Sequence, residues 1–298
     1  MHFGRVDNNE LSGIDFTLPV DPGMTTETLA SSKREGQLKV YVGATTWATK
    51  EFLGVIYPLL TPENNFLELY TQQFNTIEFG TTFYSTPIAD KVKDWKDKAL
   101  KNPGFKFCPK FPQGISNIRR FKNAEVPTKQ FYESIRSFGQ HLGPIFIQLP
   151  ENFTFKDFEV LKSYLSELPT DLQLFLELRN EKWFANLEQR EMLFNTLKKH
   201  SIGAVITDAP ARRDAVHMHL PVPHAMIRFV ATGLDDTELK RLDAWVSRLK
   251  SWSDQGLQSL WFFVHQQQLQ TAPKSCEYFI KRVNEKLGLN VKPPVLLS

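Results

Sequence analysis

The sequence predicts a single TIM-type (β/α)8 parallel barrel that carries an N-terminal extension. Short apolar, β-branched runs alternate with longer amphipathic segments, which is typical of βα units. Eight such runs lie between residues 39 and 290, and this span is close to the roughly 250 residues of the fold. A doubly wound open sheet is the rival architecture. It is disfavoured because no GxGxxG follows the first run and eight units would make a very wide sheet.

The chain divides into three parts on composition. Residues 1–38 are polar, contain Pro19 and Pro22, and include one stretch at 25–37 that could form a short helix. We interpret them as a partly irregular N-terminal extension that either covers one barrel end or reaches a partner chain. Residues 39–290 form the barrel domain, and residues 291–298 form a C-terminal tail.

The predicted strands and helices alternate along the chain, apart from one connection. Strands are predicted at 39–47, 75–83, 105–111, 143–150, 172–179, 202–209, 224–231 and 257–266. Helices are predicted between them at 62–74, 87–100, 127–142, 155–168, 187–200, 235–256 and 273–287. Thr86 and Thr271 are expected to cap two of these helices, and Gly256 is expected to end another. Residues 210–223, after the sixth strand, show no clear helix.

Composition excludes several classes of protein. Of 298 residues, 41% are hydrophobic and 23% charged, as in ordinary soluble globular proteins. The net charge of +3 is too small to indicate a nucleic acid or a membrane surface as a partner. No apolar run approaches the roughly 20 residues of a membrane span, and no secretory signal is present. Cys108 and Cys276 have no zinc or disulfide spacing. We therefore expect free thiols and a cytoplasmic location.

Polar residues end the predicted strands. In a barrel of this kind the active site lies at the carboxyl ends of the strands, and charges inside apolar runs must be paired or face a wet cleft. The polar and aromatic candidates at these ends are Trp47, Glu78, Tyr84, Lys110, Gln148, Glu177, Arg179, Trp183, Asp208, Arg228, His265 and Gln266. Internal ion pairs that only fix strand register are the alternative interpretation.

Five motifs carry a resemblance to a known family. They read VGATTW (42–47), NTIEFGTTFY (75–84), PGFKFCPK (103–110), LGPIFIQLP (142–150) and LELRNEKWF (176–184). In this order they resemble the YecE-like family, catalogued as domain of unknown function 72, over about residues 39–287. The resemblance implies a TIM-type barrel and a site, but no reaction. Its motif residues correspond here to Glu78, Thr82, Phe83, Tyr84, Lys110, Gln148, Glu177, Arg179, Trp183 and Phe184.

The chain departs from the family pattern at two strand ends. Many members read Arg-Leu-His-Gly at the seventh strand, where this chain has Arg228 followed by Phe229, Val230 and Ala231. Many carry two asparagines after the eighth strand, where this chain has His265 and Gln266. Family roles for these two loops are therefore not transferred.

Anion recognition is the chemistry that the candidates favour. Lys110, Arg179 and Arg228 are expected to clamp a phosphate or carboxylate, because guanidinium groups match both. An ionised Glu177 would serve as base, a protonated Glu78 as acid, and Asp208 as a third catalytic carboxylate. The sequence therefore favours an enzyme acting on a small phosphorylated or carboxylated metabolite. We predict neither a cofactor nor a bound metal, and the oligomeric state stays open.

Three other functions stay open at this point. A metal-dependent hydrolase or isomerase, including one for phosphodiesters, would use Glu78, Glu177, Asp208 and His265 as ligands. A glycosidase would use Glu78 and Glu177 as its two carboxyl groups. A non-catalytic ligand- or protein-binding module would use the charges only to shape a pocket. The His217-Met218-His219 sequence resembles a metal motif, but it lies in a connection and is interpreted as a turn.

Overall fold

The structure is a computed structural model that describes residues 3–297, apart from the side chains of Asn8 and Asn9. Each of the eight predicted strands is present. Their bounds are β1 Lys39–Ala44, β2 Thr76–Phe79, β3 Lys106–Pro109, β4 Ile145–Gln148, β5 Leu174–Glu177, β6 Gly203–Asp208, β7 His224–Val230 and β8 Ser259–His265. All hydrogen-bonded neighbours run parallel.

The strands do not close into a barrel, so the predicted (β/α)8 barrel is wrong. Six strands form one open, strongly curled sheet in the order β1-β8-β7-β6-β5-β4, which we call the half-barrel. The other two, β2 and β3, pair with each other in a separate sheet. Only isolated bridges, such as Lys110 with Phe146, link β3 to β4.

Side chains replace the backbone ladder at the seam between β1 and β2. The Asn75 amide accepts a hydrogen bond from Val42 N at 2.9 Å and donates one to Val40 O at 2.8 Å. The Tyr70 hydroxyl accepts from Ala44 N at 2.8 Å. These groups satisfy the edge of β1, whose backbone would otherwise need a neighbouring strand. The lengths of the apolar runs do not show that side chains bind the edge of β1. For this reason the sequence predicted a closed barrel.

Ten helices lie in the described part of the chain. They are α1 Gly23–Ala30, α2 Phe66–Gln73, α3 Thr81–Tyr84, α4 Ala89–Lys98, α5 Glu125–Arg136, α6 Phe158–Ser166, α7 Lys182–Ala185, α8 Leu187–Lys199, α9 Asp236–Gln255 and α10 Ala272–Leu287. All seven predicted helices and the short N-terminal helix are confirmed. Thr271 precedes α10, and Gly256 ends α9 with a φ of 121°. The predicted start at Thr86 is wrong, because Ile88 is the N-cap of α4.

The period of two along each strand separates two cores. Side chains on the outer face pack against the helices in the main cluster. Those inside the curl form a second cluster of Tyr41, Cys108, Phe146, Phe175, Val205, Met226, Trp261 and Phe263. Six inward-facing polar residues each come two positions after a member of this second cluster. They are Lys110, Gln148, Glu177, Thr207, Arg228 and His265.

The N-terminal extension packs along one side of the fold. Asp21 is ion-paired with Arg248 of α9 and accepts a hydrogen bond from Trp252 Nε1 at 3.0 Å. The Thr25 hydroxyl donates to Met218 O at 2.7 Å. Within residues 3–297 no helix is long and apolar enough to cross a membrane. Both cysteines are buried and form no disulfide.

Candidate functional site

A buried ion network occupies the carboxyl ends of the strands inside the curl. Arg228 donates from Nε and Nη2 to the two carboxylate oxygens of Glu78, each at 2.8 Å. Its Nη1 donates to Glu177 Oε1 at 2.5 Å. All three side chains are buried. One guanidinium on β7 therefore ties together carboxylates from β2 and β5.

Two neutral groups complete the network. The Thr207 hydroxyl donates to Glu177 Oε1 at 3.0 Å, and His265 Nε2 lies 2.8 Å from Glu78 Oε2. Burial lowers the pKa of His265 despite the opposing charge of Glu78. At neutral pH the ring is therefore uncharged, and its Nε2–H donates to the carboxylate. We call Glu78, Lys110, Glu177, Arg228 and His265 the ion layer.

The structure keeps both glutamates of the ion layer ionised. Burial by itself raises the pKa of Glu78, but the charge of Arg228 and the contact with His265 outweigh it and hold the pKa well below its usual range. Burial likewise raises the pKa of Glu177, and Arg179, Arg228 and Lys110 together lower it. The prediction of a protonated Glu78 acting as acid is therefore wrong.

Lys110 is the cation of the layer that no carboxylate engages directly. In the described residues no carboxylate oxygen lies within 4.0 Å of its ammonium, which rests 3.7 Å from the centroid of the Phe83 ring. Burial, together with the charge of Arg228, lowers the pKa of Lys110 to about 8. The amine is therefore mostly charged at neutral pH and can release a proton within the physiological range.

Two buried acceptors in this layer have no donor. Glu177 Oε2 and Gln148 Oε1 are both without a hydrogen-bond partner among the described residues. Gln148 and Glu177 are register partners on β4 and β5, so their side chains are neighbours on the same face. Buried polar atoms in native proteins are nearly always satisfied. These two oxygens therefore call for a donor from water or from a ligand.

The N-terminal segment covers the ion layer. The Phe3 ring lies between two guanidinium groups, 4.7 Å from Arg179 and 4.6 Å from Arg212, and is 7% exposed. Gly4 O accepts a hydrogen bond from Ala211 N at 2.9 Å, and Arg5 donates to Gln266 O at 3.1 Å. Of the two roles left open for the extension, the structure shows that it covers one end of the strands.

Asp208 lies outside this site, although the sequence grouped it with Glu78 and Glu177. Its carboxylate accepts from Arg241 at 2.9 Å and from Trp245 Nε1 at 2.7 Å, both on α9, and is ion-paired with Arg213. The preceding residue, Thr207, faces the inside of the curl, so Asp208 must face the helices. It fixes α9 on the sheet, and a catalytic role for it is not supported.

Gln266 also faces the helix layer. Its amide donates to Glu238 Oε1 at 3.0 Å and to Ser275 Oγ at 2.9 Å. Glu238 in turn accepts from the backbone N–H groups of the loop after β7, at residues 232–234. Since His265 faces inward, its neighbour Gln266 points to the other side, and it connects α9, α10 and this loop.

The three aromatic candidates differ in their surroundings. Trp183 is buried and donates from Nε1 to Phe153 O at 2.8 Å, so it belongs to the core. Trp47 stacks on Phe79 with ring centroids 5.3 Å apart. Tyr84 is 76% exposed and touches Phe83 edge to face. Tyr84 is therefore the most exposed of the three, Trp47 is partly exposed, and Trp183 is closed to a ligand.

The residues proposed for a metal do not converge. Asp208 faces away from Glu78 and Glu177, and within residues 3–297 no group of three or more His, Cys, Asp and Glu side chains could hold an ion. His217 and His219 pack against Phe184 and Phe194. Burial lowers the pKa of His217 to about 3 and that of His219 to about 4. Both rings are therefore neutral. They lie in the connection after β6, and each has a nitrogen 2.7–3.1 Å from a backbone carbonyl oxygen.

Sequence reasoning missed two parts of this site. Thr207 donates to Glu177. Neighbouring residues of a strand face opposite sides, so the residue before Asp208 could have been considered as a second candidate for the inner face. Phe3 lies against Arg179, and no periodic pattern in residues 1–10 indicates this contact. The inward-facing set of Glu78, Lys110, Gln148, Glu177, Arg228 and His265 is otherwise brought together at one end, as expected.

Two curated proteins are similar to this chain in sequence. The chain is 26% identical over 257 residues to UPF0759 protein YecE of Escherichia coli K12, covering 79% of this chain and 89% of that protein. It is 27% identical over 158 residues to UPF0759 protein YunF of Bacillus subtilis 168, covering 49% of this chain and 52% of that protein.

Two solved structures share the fold. A DUF72 family protein from Enterococcus faecalis (EF0366) superposes with a TM-score of 0.63 at 16% identity, covering 86% of this chain and 100% of that one. A DUF72 family protein from Thermotoga maritima (TM1631) superposes with a TM-score of 0.59 at 21% identity, covering 83% and 99%. The family model described as protein of unknown function DUF72 matches residues 41–295. The chain therefore belongs to the DUF72 family.

Proposed function

We propose that this protein is an enzyme that transfers a proton on a small phosphorylated or carboxylated metabolite at the carboxyl ends of the half-barrel strands. One observation carries the proposal. The pKa of Glu177 is lowered by neighbouring cations, and its Oε2 has no donor among the described residues. Glu177 shares the ion layer with Lys110, an amine whose pKa is about 8.

The two groups have matched roles in this scheme. A substrate C–H or O–H proton passes to Glu177 Oε2, which is the unpartnered carboxylate oxygen. The Lys110 ammonium binds the substrate oxygen that becomes negative, and gives it a proton where the reaction requires one. A general acid works best when its pKa lies near the operating pH, and Lys110 satisfies this condition where Glu78 does not.

The other members of the layer position these two. Arg228 and Thr207 hold Glu177 through Oε1, which leaves Oε2 for the substrate. Glu78 holds Arg228 through two hydrogen bonds. In this proposal the anion binds Lys110 and Arg179, whose Nε also lies 3.5 Å from Glu177 Oε1, and Gln148 Oε1 accepts a hydrogen bond from the substrate.

Substrate entry requires the N-terminal segment to move. Phe3 lies on the guanidinium of Arg179 and is almost fully buried. A ligand that reaches Arg179 must therefore displace the ring. The segment is held to the edge by the Gly4–Ala211 and Arg5–Gln266 hydrogen bonds, which are few enough to open without unfolding the half-barrel.

A thermal-shift panel of phosphorylated and carboxylated metabolites tests the proposal. An anion at about 100 times its Kd stabilises the folded state by about 2.7 kcal/mol. We expect such a shift in the wild type and in Lys129→Met, an exposed control, and its loss in Lys110→Met. Glu177→Gln should retain binding and lose turnover of that ligand.

Two results would overturn the proposal. One is a panel in which no anion shifts the unfolding midpoint. The other is a shift that survives Lys110→Met unchanged, because the bound anion would then lie elsewhere on the protein.

A further inference from the structure

A cavity lies at the end of the strands opposite the ion layer. It has a volume of about 660 Å³ and is lined by residues at or just before the amino ends of β1, β3, β4, β5, β7 and β8, together with residues 33–37 of the extension. We call it the amino-end cavity. Its size falls within the range of small-molecule sites, and no member of the ion layer lines it.

Uncompensated positive charge surrounds this cavity. Lys33, Lys39 and Lys106 line it, and in the described residues no carboxylate oxygen lies within 4.0 Å of their ammonium groups. Lys106 Nζ donates one hydrogen bond to Gln140 O, which leaves its other two N–H groups for a ligand. Arg34 also lines it, with its guanidinium hydrogen-bonded to Ser253 and Leu257. Like charges around one cavity repel each other and do not stabilise the fold. Their presence here is therefore better explained by an anionic ligand.

The acidic residues of the lining do not neutralise these charges. Asp171 is ion-paired with Arg136 at 2.8 Å, and Glu35 is exposed and makes no ion pair within the described chain. Burial, with a contribution from the charge of Lys39, lowers the pKa of Lys106. The two lysines therefore act on each other across the cavity, and a bound anion would relieve their repulsion.

Two stacked aromatic rings also line the cavity. Tyr41 and Trp261 are parallel within 3°, with centroids 3.9 Å apart. Trp261 is 4% exposed, and its Nε1 is buried without an acceptor among the described residues. Flat rings beside cationic groups favour a ligand that carries a planar ring and an anionic group.

We infer that the amino-end cavity binds a small phosphate ester with a planar ring, with the phosphate held by Lys39 and Lys106 and the ring lying against the Tyr41–Trp261 pair. Phosphate suits the lysines because each acts as a compact point charge. The aromatic pair accounts for the planar ring of the molecule. This site does not depend on the function proposed for the ion layer.

Fluorescence anisotropy with N-methylanthraniloyl-ADP as probe tests this inference. We expect saturable binding by the full chain that is displaced by unlabelled ADP. Replacing both lysines, Lys39→Met with Lys106→Met, should weaken binding about 100-fold, because each lost charge-assisted hydrogen bond accounts for roughly tenfold. Tyr41→Leu should weaken it by about tenfold.

Matched controls locate the site. Lys129→Met removes an exposed lysine of α5 and should leave the Kd unchanged, and so should Lys110→Met in the ion layer. Unchanged binding in the double lysine variant, loss of binding in Lys110→Met, or no binding to the wild type at 1 mM probe would each overturn the inference. Inorganic pyrophosphate has no planar ring. If it displaced the probe as strongly as ADP does, the proposed contact between the ligand ring and the Tyr41–Trp261 pair would be wrong.

Discussion

The two ends of the half-barrel handle charge in opposite ways. At the carboxyl ends, Arg228 contacts two carboxylates, and Phe3 covers Arg179. At the amino ends, Lys39 and Lys106 line a cavity and have no carboxylate within ion-pair distance among the described residues. The same strands supply both ends. The alternation of strands and helices therefore does not by itself determine how charge is arranged at each end. The difference lies in the central cation of each end. Arg228 is neutralised by Glu78 and Glu177, with Lys110 beside it outside ion-pair distance, whereas neither Lys39 nor Lys106 is ion-paired among the described residues.

This contrast assigns different consequences to similar substitutions. Removing one member of a buried, mutually satisfied set leaves its partners unpaired in a medium of low polarity. Removing an unpaired surface cation changes ligand binding and barely changes stability. Each prediction below tests one side of this contrast.

The largest effect is expected from Arg228→Met. It leaves the buried carboxylates of Glu78 and Glu177 without their shared guanidinium, and breaking such a set destabilises a protein by about 3–5 kcal/mol. Urea unfolding followed by circular dichroism measures the loss. Lys39→Met at the other end is the control and should stay within about 0.5 kcal/mol of wild type. A loss below about 1 kcal/mol in Arg228→Met would contradict the contrast.

The second prediction concerns Asp208→Asn. The carboxylate serves Arg241 and Trp245 on α9, so the variant should lose about 2–4 kcal/mol of unfolding free energy. It should not change the affinity of any anion that depends on Lys110, because Asp208 faces the helices. Thermal-shift titration of the folded variant checks the second part. A change in anion affinity comparable to that of Lys110→Met would return Asp208 to the site.

The third prediction concerns Phe3→Ala. The ring lies between Arg179 and Arg212, and losing this packing should destabilise the protein by about 1–2 kcal/mol. Because the ring also blocks Arg179, anions that bind the ion layer should associate faster, as stopped-flow fluorescence would show. Phe16→Ala, which removes a ring beside Arg213 and Arg241, is the control and should not change that rate. Equal association rates for wild type and Phe3→Ala would show that the segment is no barrier.

The last prediction is a pH dependence of stability assigned to Lys110. Its pKa is about 8 in the folded protein, below the value of about 10.4 for an unfolded lysine. Between these values the unfolded chain binds more protons, so stability rises with pH. The unfolding free energy of the wild type, minus that of Lys110→Met, should therefore become more positive from pH 7 to pH 9.5. A difference that stays constant over this range would mean that the pKa of Lys110 is not lowered.

Most of the fold was accessible to prediction from local patterns. The period of two in short runs located all eight strands, and helical periodicity located seven helices and α1. The same period brought Lys110, Gln148, Glu177 and Arg228 to one end of the strands. These features depend on neighbours within a few residues, where backbone geometry is regular.

The sequence-based predictions failed where they depended on contacts between residues far apart in the chain. Asp208 and Glu177 both end apolar strands, yet one contacts α9 and the other contacts β7. Glu78 was expected to be protonated because it is buried, but Arg228, 150 residues away, keeps it ionised. A pKa depends on charges in space, and the sequence does not contain their distances.

The sequence by itself determined the strands, the helices, the family and the inward-facing set of polar residues, because these follow from local periodicity and motif spacing. Only the tertiary structure decided that the sheet stays open, since Asn75 and Tyr70 satisfy the edge of β1 with side chains. It also decided which charges neutralise one another and that Phe3 covers one end. The physical reason is that counter-ion pairing and edge satisfaction are contacts between residues far apart in the chain, and these contacts arise only when the chain has folded.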